Sequence, residues 1–165
     1  MSRVRKKIKR PKLREEILLM VKEDQAMRHR SKYDPTVDEK NTRRLKTIIK
    51  QYGWPTFSMV GKSGARGSWL LAQHADQDVQ FQEYCLRLLE ATEKKGEAEK
   101  KYIAYLTDRV LFNRKRPQIF GTQFHLNTKR KMVPWKIKSP RYLDKRRLSF
   151  GLDSFSKYRK QLLKL

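Results

Sequence analysis

Apolar residues recur at intervals of three and four along most of this chain, a spacing that predicts a succession of amphipathic helices. Leu13, Ile17, Met20, Val21 and Met27 outline a first helix over about 12–29, broken by Arg30 to Pro35. Thr36-Val37-Asp38-Glu39 fits a capping box, with Thr36 as N-cap and Glu39 at N3. The helix it starts carries Leu45, Ile48, Ile49 and Tyr52 on one face and stops at Gly53, where Trp54-Pro55 makes a corner. Gly61 to Gly67 reads as a Gly/Ser loop into a short helix, roughly 65–75, ending at His74. Asp76 or Asp78 caps a fourth helix through Phe81, Cys85, Leu88 and Leu89 that ends by Gly96. A fifth, about 97–114, turns Ile103, Leu106 and Val110 inward, and Asn113 to Pro117 closes it.

From Gln118 the period changes. Gln118 to His125 and Met132 to Ile137 are short β-like stretches around the polar segment 126–131, readable as a loose hairpin. Ser139-Pro140 supplies an N-cap and a proline at N1 for a helix that ends near Gly151. Asp153 caps a terminal helix holding Phe155, Tyr158, Leu162 and Leu163. The expected fold is mainly α: a compact multi-helix domain over 12–165 with a small hairpin-like segment near the C-terminus, preceded by a basic flexible arm, 1–11.

Composition sharpens this picture in two ways. Charged residues make up 35% of the chain, but 10% is aromatic, which argues against wholesale disorder. The formal charge of +24 is uneven. Residues 1–14 hold eight Lys/Arg and no acid, residues 124–165 hold thirteen and two, and the long middle is close to balance. A field of that kind attracts polyanions, so nucleic acid or another polyanion is an expected partner of the basic ends, with Lys129, Arg130, Lys131, Arg146 and Arg147 as the candidate contacts. The lone Cys85 excludes an internal disulfide and, on its apolar spacing, reads as a small buried hydrophobe. Ile17 to Val21 is too short for a signal h-region or a membrane span, so no membrane partner is expected and cytoplasm is the default location.

The candidate chemistry lies in the middle, where polar residues interrupt apolar runs. Gln73, His74 and Asp76 follow Trp69-Leu70-Leu71-Ala72; Asp108-Arg109 sits between Leu106 and Val110; Gln118, Thr122 and Gln123 flank Gly121. Buried polar groups cost several kcal/mol unless partnered, so such a density points to a polar pocket. His74 suits acid–base work, with Asp76 or Asp108 as its orienting carboxylate. Arg109 would hold an anion, and Asp24, Gln25, Gln73, Gln118, Thr122 and Gln123 would position a ligand. Structural readings stand beside these: an Asp24–Arg28 pair within one helix, a pair of Arg109 with Asp24 or Asp76 across the bundle, amides that stitch the hairpin down. Val60-Gly61-Lys62-Ser63 lacks the earlier glycine and the strand of a phosphate-binding loop, and histidines at 29, 74 and 125 have no zinc-site spacing, so no metal is expected and any cofactor is unknown.

Several of these motifs occur in a familiar order: Asp24-Gln25, Asn41 with Arg44-Leu45-Lys46, Gly53-Trp54-Pro55, Gln73-His74-Ala75-Asp76, Tyr105 to Val110, Gly121-Thr122-Gln123, and Arg146-Arg147 with Gly151-Leu152. In this order, over about 20–158, the chain resembles a family of mostly bacterial proteins described as a domain of unknown function. The resemblance implies a helical domain with a polar site built from several segments, and no established reaction. Two functions of different class follow. One is a small helical enzyme of the hydrolase or transferase kind, acting on an unknown small molecule. The other is a non-enzymatic binder of nucleic acid or another polyanion, whose polar motifs are structural.

Overall fold

The computed structural model describes residues 8–30 and 32–163, and the chain divides into two compact units, 1–98 and 99–165. Four helices make the first unit: α1 (Pro11–Arg28), α2 (Pro35–Tyr52), α3 (Phe57–Gln73) and α4 (Val79–Glu93). In it α1 lies along α3, α2 packs against both, and α4 packs on α3. Leu13, Ile17 and Met27 of α1, Leu45 and Ile48 of α2, Val60 and Leu71 of α3 and Cys85 and Leu89 of α4 fill the interior. The close approach of α1 to α3 depends on a glycine: a Cβ at Gly67 would come within 2.9 Å of Ile17 Cγ2 and 3.1 Å of Val21 Cγ2.

The second unit holds α5 (Lys100–Asn113), the antiparallel strands β1 (Phe124–Leu126) and β2 (Met132–Pro134), α6 (Leu143–Ser149) and α7 (Phe155–Leu163). His125 faces Val133 in the hairpin register, and a separate parallel bridge joins Gln118 to Ile137. Ala104, Phe120 and Leu152 centre its core, with the Phe120 and Phe150 rings 4.6 Å apart. The architecture is thus mainly helical with a small C-terminal hairpin, as the periodicity predicts.

Several local expectations are corrected. Asp34, not Thr36, caps α2: its carboxylate accepts from Thr36 N at 3.0 Å, and Pro35 takes the first helical position, where a missing N–H is harmless. The stretch 61–67 is no loop. Helix α3 already starts after Thr56, whose hydroxyl accepts from Met59 N, and only bends at Gly61, the one residue within it with positive φ. Ser139 caps nothing; it is itself left-handed (φ 46) and leads into a 3-10 turn, Pro140–Tyr142, before α6. At α7 it is the Ser154 hydroxyl that accepts from Lys157 N, while Asp153 pairs with the Lys157 ammonium. Within the stretch 1–11, Lys9 N and Arg10 N donate to Ser58 O and Met59 O at 3.0 and 2.9 Å, and residues 1–7 lie outside the described residues.

Candidate functional site

In the first unit the polar residues of α1, α2 and the end of α3 converge. Asp24 points inward from α1 with no solvent exposure. Its carboxylate accepts from Gln25 Nε2 at 2.7 Å and from Arg28 Nε at 3.3 Å, and lies 2.8 Å from His74 Nδ1. His74 comes into reach because α3 ends there, its ring released at the helix C-cap. Arg28 turns its other edge to Asp38 of α2, donating from Nη2 to both oxygens at 2.8 and 2.9 Å. Tyr33 Oη adds a 2.6 Å bond to Asp38. The sequence pattern places Asp24 and Arg28 together. It does not bring in Asp38, which it reads as part of a cap, or Tyr33.

The electrostatics follow from this crossing of charges. Burial pushes the Asp24 carboxyl up, but His74, Gln25 and Arg28 outweigh it and hold it below its ordinary value. Burial likewise opposes the Arg28 charge, and the two carboxylates raise its pKa regardless. Tyr33 is pushed up to about 12, chiefly by its bond to Asp38, so it keeps its proton and donates it. The His74 tautomer is decided by its neighbours. Arg28 Nε lies 3.0 Å from Nδ1, and Nδ1 can accept from it or donate to Asp24, but not both. Donation to Asp24 puts the proton on Nδ1 and leaves the lone pair on Nε2, with Arg28 Nε then bonded to Asp24 at 3.3 Å; acceptance from Arg28 reverses the two ring nitrogens. His74 also lines a cavity of about 260 Å³ with Asp38, Glu39, Thr42, Arg43 and Asp78.

Asp76 is not the carboxylate at His74. It is exposed, and its Oδ1 accepts from Gln82 Nε2 at 3.2 Å; Gln82 also ties down the Ala72 and Gln73 carbonyls at the end of α3. Asp78, the cap of α4, is bound to Phe81 N and Lys46. Two buried amides remain partly unsatisfied: both polar atoms of the Asn41 side chain, one turn from Asp38 on α2, and Oε1 of Gln73.

The second unit uses its polar motif differently. Asp108 of α5 has no exposure and receives the N–H groups of Ile119, Phe120 and Thr122 and the Thr122 hydroxyl, all at 2.7–3.1 Å. Burial pushes its carboxyl up against these four donors. The loop can wrap the carboxylate because Gly121 has φ 67, where a Cβ would come within 2.9 Å of the Phe155 ring. Gln118 completes a second staple, donating to Gln123 O and Trp135 O at 2.9 Å and accepting from Gln123 N at 2.8 Å. Gln123 Nε2 reaches Thr122 Oγ1. Asp108, Gln118, Thr122 and Gln123 thus hold a loop and hairpin in place by mutual bonds. Arg109 is half-buried beside them on α5.

A family sequence model matches residues 11–164. The chain belongs to this family of unknown function, DUF6624. No curated protein and no solved structure matches it. In this DUF6624 chain, no three His, Cys, Asp or Glu side chains among the described residues are grouped so as to hold a metal, and no described helix is long and apolar enough to cross a membrane.

The basic residues of the DUF6624 chain divide by role. Arg147 is 1% exposed and donates to Phe120 O and Asp153 O, with its guanidinium 4.8 Å from the Tyr158 ring centroid, so it is a core clamp and not a surface contact. Burial pulls its pKa down. Arg146 binds the carbonyls of Ile119, Lys138 and Ser139. Neither guanidinium is offered to a phosphate. Lys129, Arg130 and Lys131 are exposed on the turn between β1 and β2.

Proposed function

We propose that this protein is a small acid–base catalyst of the hydrolase or transferase kind, in which His74 transfers the proton and Asp24 orients it. The observation that carries the reading is the 2.8 Å contact between Nδ1 and a carboxylate without solvent exposure, made by a histidine that also lines an open cavity. With Nδ1 protonated, Nε2 has the lone pair that takes a proton from a water or a ligand hydroxyl, and Asp24 stabilises the imidazolium that results. Return of that proton to the departing group completes the cycle. A positioned group of this kind contributes about 10²–10⁴ in rate. Arg28 is a positioning residue: it joins Asp24 to Asp38 and so fixes α1 against α2 at the site. Arg43 on the cavity wall suits an anionic group of the ligand, and the unsatisfied amides of Asn41 and Gln73 fit a neighbourhood built for polar occupants. A cavity of about 260 Å³ takes a molecule the size of a sugar or an amino-acid derivative.

A thermal-shift screen of nucleotides, sugars and amino-acid derivatives tests this. A ligand at about 100 times its Kd adds roughly 2.7 kcal/mol to the wild type. His74→Gln and Asp24→Asn should remain folded and lose that shift or the turnover of the hit. A variant at His74 that turns the hit over at the wild-type rate would defeat the proposal, as would a screen in which nothing stabilises the wild type.

A further inference from the structure

The second unit, 99–165, contains nineteen Lys/Arg and only four acidic residues. All four acids are already engaged: Glu99 with Lys101, Asp108 with the 119–122 backbone, Asp144 with Phe155 N, and Asp153 with Lys157. Arg116, Lys129, Arg130, Lys131, Lys136 and Lys138 are exposed, and none has a carboxylate partner among the described residues.

These six are not on a tail. The turn that carries Lys129 to Lys131 is built around Asn127, whose side-chain oxygen accepts from Lys129 N and Lys131 N at 3.0 and 2.9 Å while Arg130 takes a left-handed φ of 56. Arg116 is tied to the segment just after β2 by Trp135, whose indole N–H donates to the Arg116 carbonyl at 2.8 Å. Lys136 and Lys138 bracket Gln118 through two backbone bonds of 2.8 Å. The three basic segments thus belong to one ordered platform built on the hairpin, which also carries the half-exposed rings of Trp135 and His125 in edge contact at 5.3 Å.

We infer that this platform binds the phosphodiester backbone of a nucleic acid. Several cations carried on an ordered backbone, with polar and aromatic groups in the same segment, match the phosphates, sugars and bases of a nucleic-acid strand. A membrane surface fits less well, because the exposed apolar groups of the hairpin are only Leu126 and Met132, opposite each other in register. The site is separate from His74 and stands or falls independently of its chemistry.

The test uses the full chain and fluorescence anisotropy with labelled 20-nucleotide single strands and duplexes of RNA and of DNA, over graded KCl. Affinity should fall linearly in log–log form, by about 0.7 per phosphate for single strands and 0.9 for duplexes. The triple variant Lys129→Gln, Arg130→Gln, Lys131→Gln should melt like the wild type and at 0.1 M salt bind single strands about 100-fold and duplexes about 500-fold more weakly, the loss expected for three phosphate contacts one decade below 1 M. Lys50→Gln, Lys94→Gln, Lys95→Gln removes the same charge from the first unit and should change affinity less than twofold. Which polymer binds more tightly decides between RNA and DNA. Equal weakening by both triples would mean diffuse attraction and overturn the platform. So would binding to vesicles of anionic lipid without binding to any nucleic acid.

Discussion

At Asp24 two opposing effects meet, and the sign of the outcome can be measured. Burial raises the carboxyl's pKa, its donors lower it further, and the net shift is downward from 3.8. A depressed folded-state value means that the stabilisation is fully present above about pH 4 and is lost as pH falls from there through the folded value. Melting temperatures of wild type and Asp24→Asn should therefore differ most at pH 5–7 and converge below pH 4; a gap that widens in acid would contradict the assigned charge state. Asp108 behaves as an anchor. Asp108→Ala leaves four donors without their acceptor and should cost at least about 3 kcal/mol in urea denaturation, with no ligand effect to lose. Cys85, buried and pushed up to about 12 chiefly by that burial, should react with a thiol reagent at pH 8 only after unfolding. The sequence marks Asp108 and His74 as polar groups in apolar runs and Cys85 as a buried hydrophobe, but it cannot pair the polar ones. Asp24 and His74 are fifty positions apart, and the visible i,i+4 neighbour Arg28 satisfies a local reading of Asp24 equally well. Asp38 is hidden in the same way by its place in a first helical turn.

Elements were easier to read than their ends. Apolar periodicity locates α1, α2, α4, α5 and α7, because a 3.6-residue repeat records which face is buried, while it finds only the second half of α3. Caps depend on which of several neighbouring oxygens reaches a free N–H, and Asp34-Pro35-Thr36 offers two; the proline decides, since it fits N1 and leaves Asp34 outside. The glycines of 61–67 misled for a related reason. Glycine is disfavoured in a helix interior, yet here Gly61 supplies a bend and Gly67 a contact surface. That contact gives a test. Gly67→Ala improves the intrinsic helix propensity of α3 by about 1 kcal/mol, but its methyl would press on Ile17 and Val21. Overpacking of this kind costs about 1–3 kcal/mol, so the variant should be less stable overall by calorimetry. Ile17→Ala in the same background should recover part of the loss through a non-additive double-mutant cycle. Strict additivity would mean that the helices do not meet at this glycine.

For the whole chain, charge is the dominant quantity. With 41 basic and 17 acidic residues, even complete pairing would leave 24 cations without a partner. Added salt acts on this balance in two directions. It weakens exposed pairs such as Lys40–Glu23, Lys46–Asp78 and Lys157–Asp153, each worth about 0.2–1 kcal/mol. It also screens the repulsion among the unmatched cations as the Debye length shrinks from about 30 Å at 0.01 M to about 8 Å at 0.15 M. The Asp24–Arg28–Asp38 cluster is less affected, because both of its carboxylates are buried and its arginine is only partly exposed. Unmatched cations outnumber the exposed pairs, so screening should win. The melting temperature should rise by several degrees between 10 and 300 mM KCl. If unit 99–165 holds phosphates at fixed positions, inorganic phosphate should raise it further at equal ionic strength, and the triple variant of the hairpin turn should lose that extra increment while keeping the response to KCl. A melting temperature that falls with KCl would show that the native ion pairs outweigh the net charge, and a phosphate increment unchanged in the variant would place the anion contacts away from the turn.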